Sequence, residues 1–262
     1  MTFSLIRRAG LALAFTLLTG TLIPAQADVL ADVKAAGVLK VGIFEDFPPF
    51  ASLNAAMKIE GYDTEVADKL AAALGVKVEL VGITGQNRIP FLTEGKVDLL
   101  LSIGYSDERA QVVDYTDAYA PYYIAVMGPK ELDVKDAAGL SGKSIAVNRG
   151  TLEDTELTKV APADADVQRF SDYSGVISAF LSGQVQLMVV GNDVGATILA
   201  QNPAIEPVEK FLLLSSPSQM AVKKGEAPLQ KAVNDALIAM KASGELNDLA
   251  VKWLKQPLVK GF

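Results

Sequence analysis

One pattern constrains this chain more than any other: strand and helix signals alternate, run through three strands, and then start again. Leu39 to Phe44 is a short apolar run, read as a buried strand. Asp63 is placed to cap a helix whose Val66, Leu70, Ala73 and Leu74 recur on one face, and Gly75 stops it. Val76 to Ile83 reads as a strand, Pro90 to Gly95 as a short helix, and Val97 to Ile103 as a strand. The order returns over Lys143 to Asn148, Thr151 to Val160, Val167 to Phe170, Gly175 to Leu181 and Leu187 to Val190. Amphipathic helices over Ala227 to Ala242 and Leu246 to Leu254 end the chain. Such alternation implies parallel sheets covered by helices. The expected fold is α/β, with two Rossmann-like lobes joined by a two-segment hinge near Tyr122 to Gly128 and Ser215 to Val222. The boundaries predicted are 28–122 with 218–262 for the first lobe, and 123–217 for the second. Ligands of open α/β sheets bind beyond the carboxyl ends of the strands, so two facing sheets would share one cleft.

Residues 1–27 stand apart. Arg7 and Arg8 precede an apolar run from Ala9 to Ile23, and Ala25-Gln26-Ala27 is a small-x-small cleavage signal. The expectation is a secretory signal peptide that leaves Asp28 at the mature N-terminus, with export to the periplasm. The apolar run is short for a membrane span. The sequence has no cysteine and no histidine. It therefore has no thiolate for lipid anchoring, catalysis or metal binding, and it lacks the commonest general base. No cofactor or metal is expected. The net charge of −7, without basic clusters, argues against nucleic acid and anionic membrane surfaces as partners.

Four segments carry further information. Residues 39–50 read Leu-Lys-Val-Gly-Ile-Phe-Glu-Asp-Phe-Pro-Pro-Phe, and 61–67 read Gly-Tyr-Asp-Thr-Glu-Val-Ala. Residues 95–98 are Gly-Lys-Val-Asp, and 107–117 are Asp-Glu-Arg-Ala-Gln-Val-Val-Asp-Tyr-Thr-Asp. In order and spacing these segments resemble the polar amino-acid-binding proteins of ABC importers, solute-binding family 3, from about residue 37 to 257. The resemblance implies a type II periplasmic binding protein: two lobes, one free amino acid between them, and an inner-membrane ABC permease as partner. A monomer is expected.

The resemblance also assigns roles. Arg109, in its Asp-Glu-Arg-Ala setting, matches the arginine that clamps the ligand carboxylate through two parallel hydrogen bonds. A surface pair with Asp107 or Glu108 is the plainer reading. Ser102 matches a ligand-binding serine, or is a satisfied strand-end hydroxyl. Gly104 stands where Ser or Thr is usual. Thr151, in Asn148-Arg149-Gly150-Thr151, matches a carboxylate contact at a helix N-terminus. Thr151 with Asp154 also reads as a capping box, which leaves the Thr151 backbone N–H as the expected contact. Phe47 matches an aromatic that covers the ligand. Phe44 falls where an acid often lies in members that bind cationic side chains, or belongs to the core. Arg88, within Gly85-Gln86-Asn87-Arg88-Ile89-Pro90, resembles the arginine of the glutamate/aspartate branch that meets the side-chain carboxylate, while that branch's serine falls on Gly85. A salt bridge to a nearby acid is the plainer reading of Arg88. The family's ammonium-binding Asp aligns with Gly191, so Asn192 and Asp193 are the candidates for that task, unless Gly-Asn-Asp is simply a turn.

Polar or acidic amino acids are favoured as ligands. Two other classes remain open at this point: a periplasmic dehydratase on the same fold, and a ligand-binding protein that docks on a sensory receptor. An enzyme needs an acid or base of matched pKa in its cleft, and no cluster in the sequence marks one.

Overall fold

The computed structural model describes residues 28–259, so the expected signal peptide lies outside the described residues. Two five-stranded sheets carry the fold. In the first, Lys77–Gly82, Val38–Ile43 and Leu99–Ile103 lie parallel, and Gln219–Lys223 runs antiparallel between Leu99–Ile103 and Val113–Tyr115. In the second, Asp166–Phe170, Ser144–Asn148 and Leu187–Gly191 lie parallel, and Tyr123–Gly128 runs antiparallel between Leu187–Gly191 and Val208–Ser215. The restart in the sequence is thus a repeated topology: a parallel trio flanked by a reversed strand.

The inner parallel strands are apolar along most of their length because helices cover both faces of each sheet, while the edge strands Lys77–Gly82 and Asp166–Phe170 carry polar residues. Leu99, Leu100 and Leu101 are all buried, as are all five residues of Leu187–Gly191. Each buried leucine contributes roughly 1.5–3 kcal/mol relative to exposure. The covering helices end where the sequence says they should. Gly75 closes Tyr62–Leu74 in a left-handed conformation, at φ 74°.

The chain crosses between the sheets twice, after Tyr115 and after Ser215. The crossings lie side by side, with a bridge between Ala120 and Ser218 and a hydrogen bond from Ser216 N to Tyr122 O (3.1 Å). Tyr123–Gly128 was expected to be part of the hinge. It is instead an interior strand, because Ile124, Ala125, Val126 and Met127 are apolar enough to be buried on both faces.

Three other expectations change. Asp63 does not cap its helix: Gly61 holds that position, and Asp63 is buried in the first turn. Gly191-Asn192-Asp193 is not a turn, because helix Asn192–Leu199 begins there directly from the strand. A small three-stranded sheet, Asp46–Phe47, Ala51–Leu53 and Ile59–Glu60, was not foreseen. It carries Phe47 towards the second lobe.

Candidate functional site

The site begins where Leu99–Ile103 ends. Ser102 has φ 47°, a left-handed conformation that costs a non-glycine residue roughly 1–3 kcal/mol. A buried network holds it there. Ser102 Oγ donates to Asp63 Oδ2 (2.7 Å), Tyr119 OH donates to Asp63 Oδ1 (2.6 Å), and Ser102 N donates to Tyr119 OH (2.9 Å). Burial pushes the Asp63 carboxyl up to about 6, partly offset by these hydroxyl donors and by Arg88. The bent strand end turns the Ser102 carbonyl to Arg88 Nη2 (3.3 Å).

Arg88 opens helix Arg88–Thr93 and is buried, with its guanidinium carbon 5.4 Å from the Phe44 ring centre. Its Nε has no hydrogen-bond partner. Burial first, and then the neighbouring Arg109, lower its pKa to about 10. It stays cationic at neutral pH. Arg109 reaches across the cleft. Its Nη1 donates to Gly104 O (3.1 Å) and its Nη2 to Gly150 O of the second lobe (3.3 Å). Among the described residues neither guanidinium is in an ion pair.

The second lobe supplies the facing wall. Thr151 caps helix Leu152–Val160, accepting from Asp154 N (3.4 Å) and donating to Asn148 O (2.7 Å). Its backbone N–H, the expected ligand contact, points to Asn148 O at 3.4 Å, and Thr151 does not line the cavity. The next turn presents Glu153 instead. This carboxylate is buried, and its Oε1 accepts from Tyr122 OH (2.7 Å) and Tyr173 OH (3.2 Å). Phe47 stacks on Tyr173 at 4.5 Å and meets Tyr122 edge-on at 6.0 Å, an aromatic contact that spans the lobes. Asp46 Oδ2 accepts from Ser174 N (2.7 Å) beside it.

Phe47, Arg88, Ser102, Gly104, Arg109 and Glu153 all line one cavity, with Tyr122, Tyr173, Leu152 and Ser218. The cavity measures about 310 Å³ and is partly open to solvent.

The cavity thus gathers five of the nine residues expected to bind ligand. The other four lie elsewhere. Phe44 is core, packed edge-on against Tyr173 at 5.4 Å and beneath Arg88. Thr151 is consumed by its helix cap. Asn192 Oδ1 accepts from Tyr123 N (3.0 Å), which fixes the strand-to-helix corner. Asp193 faces a separate groove lined by Pro48, Pro49 and Trp253, where Gln256 Nε2 donates to it (3.3 Å). Burial raises the Asp193 carboxyl to about 6. Both residues turn away because the helix starts at once and rotates their side chains off the cleft.

Glu153, Tyr122, Tyr173 and the Asp63–Tyr119 pair were missed. For Glu153 a signal existed. It shares the inward helix face with Leu157 at i+4, and a charged residue on an apolar stripe invites a functional question.

Two α/β lobes around a polar cavity, with a paired crossing behind it, define a two-lobed solute-binding protein of the type II periplasmic kind. Residues 39–256 match the model of the bacterial extracellular solute-binding proteins, family 3, and the chain belongs to that family. It is 27% identical over 235 residues to the ABC transporter glutamine-binding protein GlnH of Bacillus subtilis, covering 87% of this chain and 85% of that one. It is 28% identical over 260 residues to the L-cystine-binding protein TcyJ of Escherichia coli K12, covering 95% of each. Among solved structures, the ancestral amino acid-binding protein AncCDT-1, a precursor of cyclohexadienyl dehydratase, superposes with a TM-score of 0.80. The identity there is 28%, with 86% of this chain and 99% of that one covered.

Proposed function

We propose that this protein is the periplasmic substrate-binding component of an ABC importer, and that it closes around one free amino acid with an acidic side chain. One observation carries the acidic preference. Arg88 and Arg109 both line a single cavity, and neither makes a direct ion pair among the described residues, although Asp63 and Glu153 attract Arg88 through space. Burial and the neighbouring half-exposed Arg109 both disfavour the charge on Arg88, and a ligand with two carboxylates relieves that cost. In this reading Arg109 takes the α-carboxylate and Arg88 the side-chain carboxylate, while Phe47 covers the carbon skeleton. The two lobes are 28–122 with 218–262, and 123–217. Release to an inner-membrane permease follows reopening of the hinge, and the protein acts as a monomer without chemical change to its ligand.

Isothermal titration of ligand-stripped protein with all standard amino acids tests this. The expected result is one-to-one binding, tightest for glutamate or aspartate, with the ligand recovered unaltered. Charge-assisted hydrogen bonds are worth roughly 1.5–3 kcal/mol each, so Arg109→Ala should weaken binding at least tenfold. Arg88→Gln should abolish the preference for acidic over neutral side chains. A folded protein that gives no heat with any amino acid would overturn the assignment.

A further inference from the structure

We propose that Glu153 is the acceptor for the ligand's α-ammonium group, in place of a side chain after strand Leu187–Gly191. This rests on the amino-acid reading above and deepens it. No side chain can occupy position 191, because a Cβ there would fall inside the Tyr122 ring. Asn192 and Asp193, next in the chain, face away from the cavity. The Tyr122 ring that fills the space at Gly191 directs its hydroxyl to Glu153 Oε1, and Tyr173 donates to the same oxygen. These two donors fix the carboxylate in one orientation. They leave Oε2 without a hydrogen bond from any described residue, on a side chain that lines the cavity.

Glu153 is 3% exposed and makes no direct ion pair among the described residues, with Arg88 of the same cavity attracting it only through space. Its position in the first turn of helix Leu152–Val160 favours a negative charge. A buried carboxylate held by two donors, with one oxygen unused, is built to accept from a cation. The whole cavity then matches an amino-dicarboxylate: two guanidinium groups for two carboxylates, and one carboxylate for one ammonium. Glu153 comes from the second lobe and both arginines from the first, so the ligand ties the lobes together through opposite charges.

The test compares the best-bound amino acid with the same molecule lacking its ammonium, glutamate with glutarate on the reading above. Dissociation constants are measured for the wild type and Glu153→Gln, a change that keeps shape and an acceptor for both tyrosines. The wild type should prefer glutamate by more than tenfold. Glu153→Gln should weaken glutamate by tenfold or more, leave glutarate unchanged or tighter, and so collapse the preference. Equal loss for both ligands would assign Glu153 a purely structural role and overturn the proposal, as would unchanged glutamate binding. If the Gln variant does not fold, Glu153→Asp, which withdraws the same charge by one methylene, should weaken glutamate alone. A wild type that binds no amino acid would instead sink the functional reading on which this one rests, and a protein that binds amino acids with Glu153 indifferent would sink only this one.

Discussion

Replacing Asp63 with Asn should change how stability depends on pH, by an amount the structure allows to be worked out. Asp63 is buried beneath the cavity and its carboxyl titrates at about 6 in the folded protein, against 3.8 for the ordinary side chain. The folded state therefore holds this proton more tightly than the unfolded chain does. A carboxyl with a raised folded pKa contributes stability that is fully present below 3.8 and is lost as pH rises through about 6. At about 1.4 kcal/mol per pKa unit, the change across that window is about 3 kcal/mol. Asn at position 63 cannot ionise; it keeps one acceptor oxygen for one of the Ser102 and Tyr119 hydroxyls, and its Nδ2 replaces the other, so that hydroxyl must turn to accept. Urea denaturation of both proteins, at half-unit steps from about pH 3.5 to 6.5, gives the two stability curves. Asp193, also raised to about 6, is present in both and cancels in their difference. The wild type should lose about 3 kcal/mol relative to Asp63→Asn as pH rises across the window. Parallel curves would show that Asp63 is not desolvated in the folded state, and would refute the account of how Ser102 is held.

Two substitutions probe the approach of the lobes. In Gly104→Ser the new Cβ would stand 2.5 Å from Leu152 Cδ2 and 3.0 Å from Ser216 Oγ. Overpacking of this kind costs about 1–3 kcal/mol, so ligand affinity should fall roughly 5- to 150-fold. Leu152→Ala in the same protein should restore part of it, and unchanged affinity in the single variant would contradict the observed contact. Gly191→Ala forces a methyl into the Tyr122 ring and should lower stability by about 1–3 kcal/mol, read from the urea midpoint. A neutral result would mean that Tyr122 does not pack there.

Periodicity made the fold legible. Apolar runs located five of the six parallel strands, and the sixth, Val-Gln-Arg-Phe over 167–170, was read from its place in the alternation; Gly75 marked its helix end by the left-handed turn that glycine alone takes without cost. Reversed strands were harder, since Tyr123–Gly128 and Gln219–Lys223 carry the same apolar signal as a buried hinge segment. At the site, motif order located Arg88, Ser102, Arg109 and Phe47, because each sits at a strand end or loop that the topology turns towards the cleft. Asn192 and Asp193 misled because local sequence does not reveal that a helix starts directly at the strand end. Tyr122, Tyr173 and Glu153 come from three separate segments, and only tertiary packing unites them.

The departures from the family pattern at Gly85, Gly104 and Gly191 share one physical explanation. Alone, each looks like the loss of a polar contact or a wider pocket. The structure shows no widening, since each missing side chain is replaced by a close approach. A Cβ at Gly85 would stand 2.9 Å from Thr151 Cγ2 and closer still to the Arg149 carbonyl. At Gly104 the space belongs to Leu152, and at Gly191 to Tyr122. Two of these contacts join the lobes, and the third seats the tyrosine that orients Glu153. Close packing thus fills the space at all three positions, and Arg88 and Glu153 are buried beside it. Desolvation strengthens each charge's hold on an opposite charge and worsens its isolation. Ligand selectivity should therefore follow the few charges that remain, Arg88, Arg109 and Glu153, more than the number of hydrogen bonds the pocket can make.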